Sequence, residues 1–200
     1  MAETDITITP VGDGAVGKTS MLTSYTNKTV PEGHVATVYD NYSANVTVNG
    51  QQVMLNLNDT AGQEDFESLR TLSYAKTNVF LCVFAVNDRQ SFENISSKWM
   101  KELMDKSKVK ESLGVPIFIV GNKIDLRSTE ACVSKEEGEA LQRQMTAIYN
   151  NTNKNIIYME CSALRSTGLK EVYDQAIKSH MQAEFAKRKA KKQSGKCAIL

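Results

Sequence analysis

The sequence predicts an α/β fold: a mainly parallel six-stranded sheet with one antiparallel strand and helices on both faces. Residues 79–86 and 115–120 are continuous apolar runs, which are typical of strands covered on both faces. Segments with helical spacing separate the later strands, and this alternation favours a parallel sheet. The pair Asn49 and Gly50 predicts a tight hairpin, which supplies the antiparallel strand.

The elements follow in a regular order along the chain. The predicted strands are residues 6–11, the hairpin at 46–57, and residues 79–86, 115–120 and 156–159. Apolar residues recur at helical spacing at residues 21–25, 92–103 and 169–185, and a further helix is predicted from residue 136. The asparagine-rich residues 146–155 predict an exposed loop. Pro10 is unexpected in a central strand, because it has no N–H to donate.

Composition predicts one soluble, cytosolic domain. Apolar residues make up 41% and charged residues 24% of the chain, the proportions of a globular domain. We expect no secretion or myristoylation signal at the N-terminus, and residues 79–86 are too short to span a membrane. The four cysteines are therefore expected to be reduced, and two histidines without a Cys-x-x-Cys pair argue against zinc.

The net charge of +1 conceals a strongly basic segment near the C-terminus. Residues 187–196 carry six lysines and arginines and no acid, so the rest of the chain carries −5. This division predicts a folded domain at residues 1–186 and a polybasic tail at residues 187–200. The expected partner of the tail is an anionic membrane, and no nucleic-acid partner is expected.

Residues 12–19, Gly-Asp-Gly-Ala-Val-Gly-Lys-Thr, match the phosphate-binding pattern Gly-x-x-x-x-Gly-Lys-Ser/Thr. Between a strand and a helix, the glycines let successive N–H groups point inward and bind phosphate at the positive end of the helix. Lys18 can reach the terminal phosphates, Thr19 can ligate Mg²⁺, and Gly14 leaves space beside the terminal phosphate. The loop residues predicted to bind nucleotide are Gly12, Asp13, Gly14, Ala15, Val16, Gly17, Lys18, Thr19 and Ser20.

A second motif selects the base. Asn122, Lys123 and Asp125 follow an apolar strand, at the carboxyl edge where open α/β sheets bind ligands. The Asp125 carboxylate can accept two hydrogen bonds, from N1–H and from the 2-amino group of guanine, and adenine offers neither. Polar pairing of this kind discriminates by about 10⁴-fold or more, so the two motifs together predict guanine specificity.

With these motifs, nearly the whole sequence resembles a Ras-superfamily small GTPase. Residues 59–64, Asp-Thr-Ala-Gly-Gln-Glu, resemble its second phosphate motif, and residues 160–163, Glu-Cys-Ser-Ala, its last guanine motif. Residues 37–42, Thr-Val-Tyr-Asp-Asn-Tyr, and residues 63–65 resemble the Rho branch, as does the ending Cys-Ala-Ile-Leu. The resemblance implies the P-loop small GTPase fold, GTP or GDP as ligand and Mg²⁺ as cofactor.

The resemblance also implies roles for individual residues. Thr37 would give Mg²⁺ a second hydroxyl, and Asp59 would hold the ion through water. The backbone N–H groups of Thr37 and Gly62 would meet the γ-phosphate. Gln63 would orient the attacking water and would complete a catalytic set with Lys18 and Thr37. The remaining implied nucleotide contacts are Val30, Ser162, Leu164 and the Ala163 N–H, which would bind the guanine carbonyl.

A switch and its regulators follow from the same resemblance. Residues 30–42 and 60–76 would be held by the γ-phosphate and relax when it leaves. No arginine is recognisably placed to neutralise the transition state in cis, so an activating protein would supply one, worth about 10³–10⁵ in rate. The implied partners are an exchange factor, a GTPase-activating protein, a GDP-dissociation inhibitor and effectors that bind those two segments. Control of the actin cytoskeleton is implied by the Rho resemblance.

The C-terminal Cys197-Ala-Ile-Leu is a C-a-a-X sequence, and its final leucine favours geranylgeranylation of Cys197. One lipid chain and a basic run are the two signals that stable anchoring needs. We therefore expect the protein at the cytoplasmic face of the cell membrane, with a cytosolic pool.

Several positions depart from the residues that are usual in the Rho branch. The departing positions are Val30, His34, Ala36, Asn58 and Leu164. Asn58 replaces a common tryptophan, at a surface that exchange factors often read. The charged insert helix of Rho proteins is expected to be absent, because only residues 127–135 precede the next predicted helix.

Two other functions are open on the sequence. The first is a P-loop ATPase or kinase, against which Asn122, Lys123 and Asp125 argue. The second is a non-hydrolysing membrane scaffold that keeps its nucleotide permanently, against which the intact Gly14 and Gln63 argue, together with Thr37.

Overall fold

The computed structural model describes residues 4–27, 39–48, 50–60, 67–106, 115–129, 131–149 and 156–194. The strands are β1 Thr4–Val11, β2 Tyr39–Val48, β3 Gln51–Thr60, β4 Val79–Ala85, β5 Ile117–Asn122 and β6 Ile156–Glu160. They form one six-stranded sheet in the order β2-β3-β1-β4-β5-β6. The β2–β3 pairing is antiparallel and the other four pairings are parallel, so the predicted sheet is confirmed.

Helices were predicted at residues 21–25, 92–103 and 169–185 and from residue 136, whereas the helix at residues 67–74 was not predicted. The observed helices are α1 Lys18–Asn27, α2 Glu67–Tyr74, α3 Arg89–Asn94, α4 Met100–Lys106, α5 Lys135–Tyr149 and α6 Leu169–Ser194. A π-helical turn, Ile95–Trp99, joins α3 to α4, and a 3₁₀ turn, Ile124–Ser128, follows β5. Between that 3₁₀ turn and α5 the described residues form no helix, which agrees with the expected absence of an insert helix.

Both faces of the sheet are covered, as the continuous apolar strands predict. Every residue of β4 is buried. Leu81 and Val83 of β4 pack in one cluster with α1 and α6, whereas Phe80 and Cys82 pack in a second cluster with α4 and α5. A strand covered on both faces loses the alternation of polar and apolar residues. The helices therefore lie on opposite sides of the sheet, and the loops at its carboxyl edge are left to form a site.

The backbone around Pro10 explains why a central strand tolerates proline. The register of β1 with β3 ends at Ile8, opposite Leu57, while its register with β4 continues to Val11. The Pro10 carbonyl accepts a hydrogen bond from Thr60 Oγ1 at 2.6 Å and so faces β3. Because the N and the C=O of one strand residue point to the same side, the missing N–H falls beyond the last β1–β3 pair.

One predicted loop is wrong in part. The first residues of the segment 146–155 form the last turn of α5, which ends at Tyr149. The Thr146 hydroxyl donates to the Gln142 carbonyl at 2.8 Å, and Tyr149 packs against the second core cluster. Contacts within the tertiary structure therefore extend the helix beyond the point where the local composition predicts its end.

Helix α6 runs from Leu169 to Ser194, so the first basic residues of the predicted tail continue the last helix. Among the described residues, no helix is both long enough and apolar enough to cross a membrane.

Candidate nucleotide-binding site

The phosphate loop occupies residues 12–17, between the end of β1 and the first turn of α1. Gly12 has φ +149° and Gly17 has φ +96°, backbone conformations that side chains rarely allow. A Cβ on Gly12 would lie 2.1 Å from the Val83 carbonyl oxygen, and one on Gly17 would lie 2.5 Å from Asn122 Nδ2. A Cβ on Gly14 would meet no atom within 4 Å. Two glycines therefore permit close packing, whereas Gly14 borders open space.

Lys18 lies beneath the phosphate loop. Its Nζ donates to the carbonyl oxygens of Gly12 at 2.8 Å and Asp13 at 2.7 Å. Burial lowers the pKa of Lys18 to about 8, although the negative charges of Asp59 and Asp13 act in the opposite direction. A cation removed from water at the first turn of a helix attracts phosphate more strongly than an exposed one does.

Oxygen donors beside Lys18 fit a magnesium ion. Asp59 is fully buried near the end of β3, close enough to Lys18 for its charge to raise the pKa of that lysine. Thr19 lies in the first turn of α1. A carboxylate and a hydroxyl next to a phosphate loop are the hard oxygen donors that Mg²⁺ prefers.

Asn122, at the end of β5, connects two parts of the site through hydrogen bonds. Its Nδ2 donates to the Val16 carbonyl at 3.0 Å, and its Oδ1 accepts from the Ala163 N–H at 3.1 Å. The Cys161 thiol lies 3.6 Å from the same Oδ1. One buried side chain thus joins the phosphate loop to the segment after β6. The Ala163 N–H, which the resemblance assigns to the guanine carbonyl, here contacts Asn122.

Asp125 is held in place by Ser162. The Ser162 hydroxyl donates to Asp125 Oδ1 at 2.5 Å and accepts from the Arg165 N–H at 3.0 Å. Lys123, just before the 3₁₀ turn, has φ +66°, a conformation that costs a residue with a side chain about 1–3 kcal/mol. Strain of this size at a site suggests that the position of the turn serves binding.

These residues surround a cavity of about 180 Å³. Its lining consists of Gly17, Ser20, Asn122, Lys123, Asp125, Leu126, Ala163 and Leu164. The structure therefore brings the first motif together with both predicted base-binding segments. Leu164 is 61% exposed and provides an apolar wall at the mouth of the cavity.

An ion pair that the sequence reasoning missed links two of the base-binding segments. The Arg127 guanidinium pairs with both Glu160 oxygens, at 2.7 and 2.6 Å, and also donates to the Val133 carbonyl at 3.0 Å. The Tyr158 hydroxyl donates to the same carboxylate at 2.5 Å. Since Arg127 belongs to the 3₁₀ turn that holds Asp125, the pair fixes this turn against β6.

Asp13 also has a role that the sequence did not indicate. It is a predicted nucleotide contact, but its carboxylate accepts from Asn94 Nδ2 at 2.6 Å and from Trp99 Nε1 at 2.7 Å. The partners lie more than eighty residues away along the chain, and no local pattern relates them.

The expectation that Asn58 lies at an exposed surface is wrong. Asn58 is 7% exposed, and its Nδ2 donates to Thr9 Oγ1 at 2.9 Å. The Thr9 hydroxyl is in turn 2.7 Å from the Thr77 hydroxyl. Asn58 therefore belongs to a buried polar chain that crosses the sheet from β3 through β1.

Five of the predicted functional residues lie outside the described ranges. These residues are Val30, Thr37, Gly62, Gln63 and Cys197. The described part of the site therefore comprises the phosphate loop, Asp59 and the base-binding segments.

Comparison with protein families agrees with this geometry. The family model described as the Ras family matches residues 8–182 of the chain. The match includes the phosphate loop, strand β3 with Asp59, and both predicted base-binding segments.

Proposed function

Because this chain belongs to the Ras family of small GTPases, we propose that it is a Rho-type, membrane-anchored switch that cycles between GTP and GDP. The observation that carries the proposal is the position of Asp125. Ser162 holds its carboxylate beside a cavity that reaches the phosphate loop. A carboxylate placed to accept two hydrogen bonds selects guanine over adenine, and the adjacent loop binds the phosphates of the same nucleotide.

Mg²⁺ is the expected cofactor. Thr19 and Thr37 would ligate it through their hydroxyls, and Asp59 would hold it through water. When bound, the ion neutralises charge on the phosphates during transfer. Lys18, already oriented by the carbonyls of Gly12 and Asp13, provides a second positive charge at the terminal phosphates.

Gln63 is proposed to orient the water that attacks the γ-phosphate. Thr37 and Gly62 would contact that phosphate through backbone N–H groups, so residues 30–42 and 60–76 would be ordered by GTP and released after hydrolysis. The proposed readers of this change are exchange factors, GTPase-activating proteins, GDP-dissociation inhibitors and effectors. Support for the Rho branch comes from residues 37–42 and 63–65, and control of the actin cytoskeleton is the corresponding cellular output.

We expect Gln63→Leu to abolish the stimulation of hydrolysis by a Rho-activating domain, because leucine can neither donate to nor accept from the attacking water. Single-turnover phosphate release from GTP-loaded protein, with and without that domain, measures the effect. The matched control is Gln182→Leu, the same change at an exposed position of α6. Stimulated hydrolysis at the wild-type rate in Gln63→Leu would remove this residue from the mechanism. Unstimulated wild-type protein would favour a scaffold that keeps its nucleotide.

Geranylgeranylation of Cys197 is proposed to anchor the protein. The six nearby cations add attraction to an anionic leaflet, about 1 kcal/mol for each charge near the surface. Cys197→Ser should therefore move the protein from the membrane fraction of cells to the cytosol. Cys132→Ser, a change at a partly exposed free thiol, is the control and should leave the distribution unchanged. Persistent membrane recovery of Cys197→Ser would contradict lipidation at this residue.

A further inference from the structure

The phosphate loop is tied to the opposite face of the sheet through one side chain. The Asp13 carboxylate accepts hydrogen bonds from Asn94 Nδ2 at 2.6 Å and from Trp99 Nε1 at 2.7 Å. The Asp13 backbone carbonyl accepts from Lys18 Nζ at 2.7 Å. The two bonds to the carboxylate therefore fix the peptide group that orients the phosphate-binding lysine.

Trp99 extends this connection to α2. It is fully buried in the π-helical turn. The Arg70 guanidinium lies 4.9 Å from the centre of its ring, and so does the Lys98 ammonium. Lys98 belongs to the same turn as Trp99, whereas Arg70 belongs to α2. Arg70 is therefore a direct contact between α2 and the indole ring.

Arg70 is itself rigidly held. Its Nε and Nη2 donate to the two Glu102 oxygens at 2.9 and 2.7 Å, and the Tyr74 hydroxyl donates to the same carboxylate at 2.5 Å. The side chains of Arg70 and Glu102 are 1% and 9% exposed. A buried, bidentate ion pair has one well-defined geometry. A movement of α2 therefore either moves Arg70 and Glu102 together or breaks the ion pair between them.

We propose that Asp13, Asn94 and Trp99 are positioning residues of the phosphate loop, and that Arg70 makes the position of the loop depend on α2. The inference rests on the proposed GTP–GDP cycle, in which residues 60–76 respond to the γ-phosphate. A movement of α2 then displaces Arg70, and Arg70 displaces the Trp99 ring. The hydrogen bond from the indole N–H to Asp13 carries this displacement to the Asp13 carbonyl that binds Lys18. Loss of the hydrogen bonds from Asn94 and Trp99 to Asp13 makes the phosphate loop more mobile and speeds the release of nucleotide.

Trp99 is the one tryptophan of the chain, so its fluorescence reports directly on this connection. We expect its emission to differ between wild-type protein loaded with GDP and with a non-hydrolysable GTP analogue. The double variant Arg70→Gln/Glu102→Gln should lose that difference. Changing both partners avoids leaving a buried carboxylate without its cation, and a melting curve for each variant verifies that it folds.

Lys98→Gln is the matched control, since it removes the second cation at the same distance from the ring and changes no residue of α2. It should change the emission of both loaded forms equally and preserve their difference. A wild-type protein that binds both nucleotides but shows identical emission in the two states overturns the inference. Persistence of the difference in the folded double variant does so too. Failure to bind fluorescent GDP at all contradicts the proposed function instead.

The rate of nucleotide release provides a second readout. Asp13→Asn should release fluorescent GDP about tenfold faster, since an amide can accept only one of the two bonds and turns a donor toward the other partner. Trp99→Phe keeps an aromatic ring but removes the N–H, and it should speed release similarly. The combined variant should be no faster than either single one, because both changes break the same link. Fully additive effects, or unchanged rates, would show that Asp13 and Trp99 do not act together.

Discussion

Asp125→Asn is expected to lower the affinity for GTP and GDP by about 10⁴-fold, because it exchanges one of two acceptors for a donor that faces the 2-amino group of guanine. The N1–H bond to the remaining oxygen is retained, and the Ser162 hydroxyl can still donate to that oxygen. A base with a carbonyl in place of the 2-amino group would accept from the new amide. Xanthine nucleotides should therefore bind Asp125→Asn better than they bind the wild type.

Competition against fluorescent GDP measures both affinities. Asp105→Asn is the control, since it makes the same change at an exposed position in the last turn of α4, and guanine binding should be unaffected. The same assay on wild-type protein with GTP and ATP tests the alternative of a P-loop ATPase or kinase. Equal competition by ATP, or undiminished GDP binding by Asp125→Asn, would mean that this carboxylate does not read the base.

The sheet could be predicted from the sequence because its signals are local. Apolar runs without alternation identified β4 and β5, and Asn49 with Gly50 placed the hairpin between β2 and β3. The phosphate loop could also be predicted from the sequence. Its glycines and Lys18 lie within eight consecutive residues, and the motif needs only a strand before it and a helix after it.

The hydrogen bonds that hold the site together could not be predicted from the sequence, because they join residues that only the fold brings together. Asp13 and Trp99 lie 86 positions apart, and Asn122 reaches Val16 across 106 positions. Asn58 was misplaced for the same reason, because its Thr9 partner is 49 positions away. When only the neighbouring residues in the sequence are considered, a buried polar side chain cannot be distinguished from an exposed one. Its burial becomes evident only when the partner strand is in place.

Gly12→Ala should strongly destabilise the protein, whereas Gly14→Ala, two residues later in the same loop, should not. A Cβ on Gly12 would lie 2.1 Å from the Val83 carbonyl oxygen, part of the backbone of central strand β4, which cannot move aside. The backbone angle of +149° adds strain for any side chain. Overpacking and strain together cost about 2–5 kcal/mol, which corresponds to a melting midpoint about 5–15 °C lower.

The Cβ of Gly14→Ala meets no atom within 4 Å, so its stability should stay within about 1 kcal/mol of the wild type. Its methyl group would instead enter the space proposed for the terminal phosphate, and the hydrolysis of GTP is the property that it should affect. Thermal unfolding of the two variants, followed by circular dichroism, separates these effects. Equal midpoints would show that β4 yields to a side chain at Gly12, and that the close packing of the loop on β4 is not what requires glycine there.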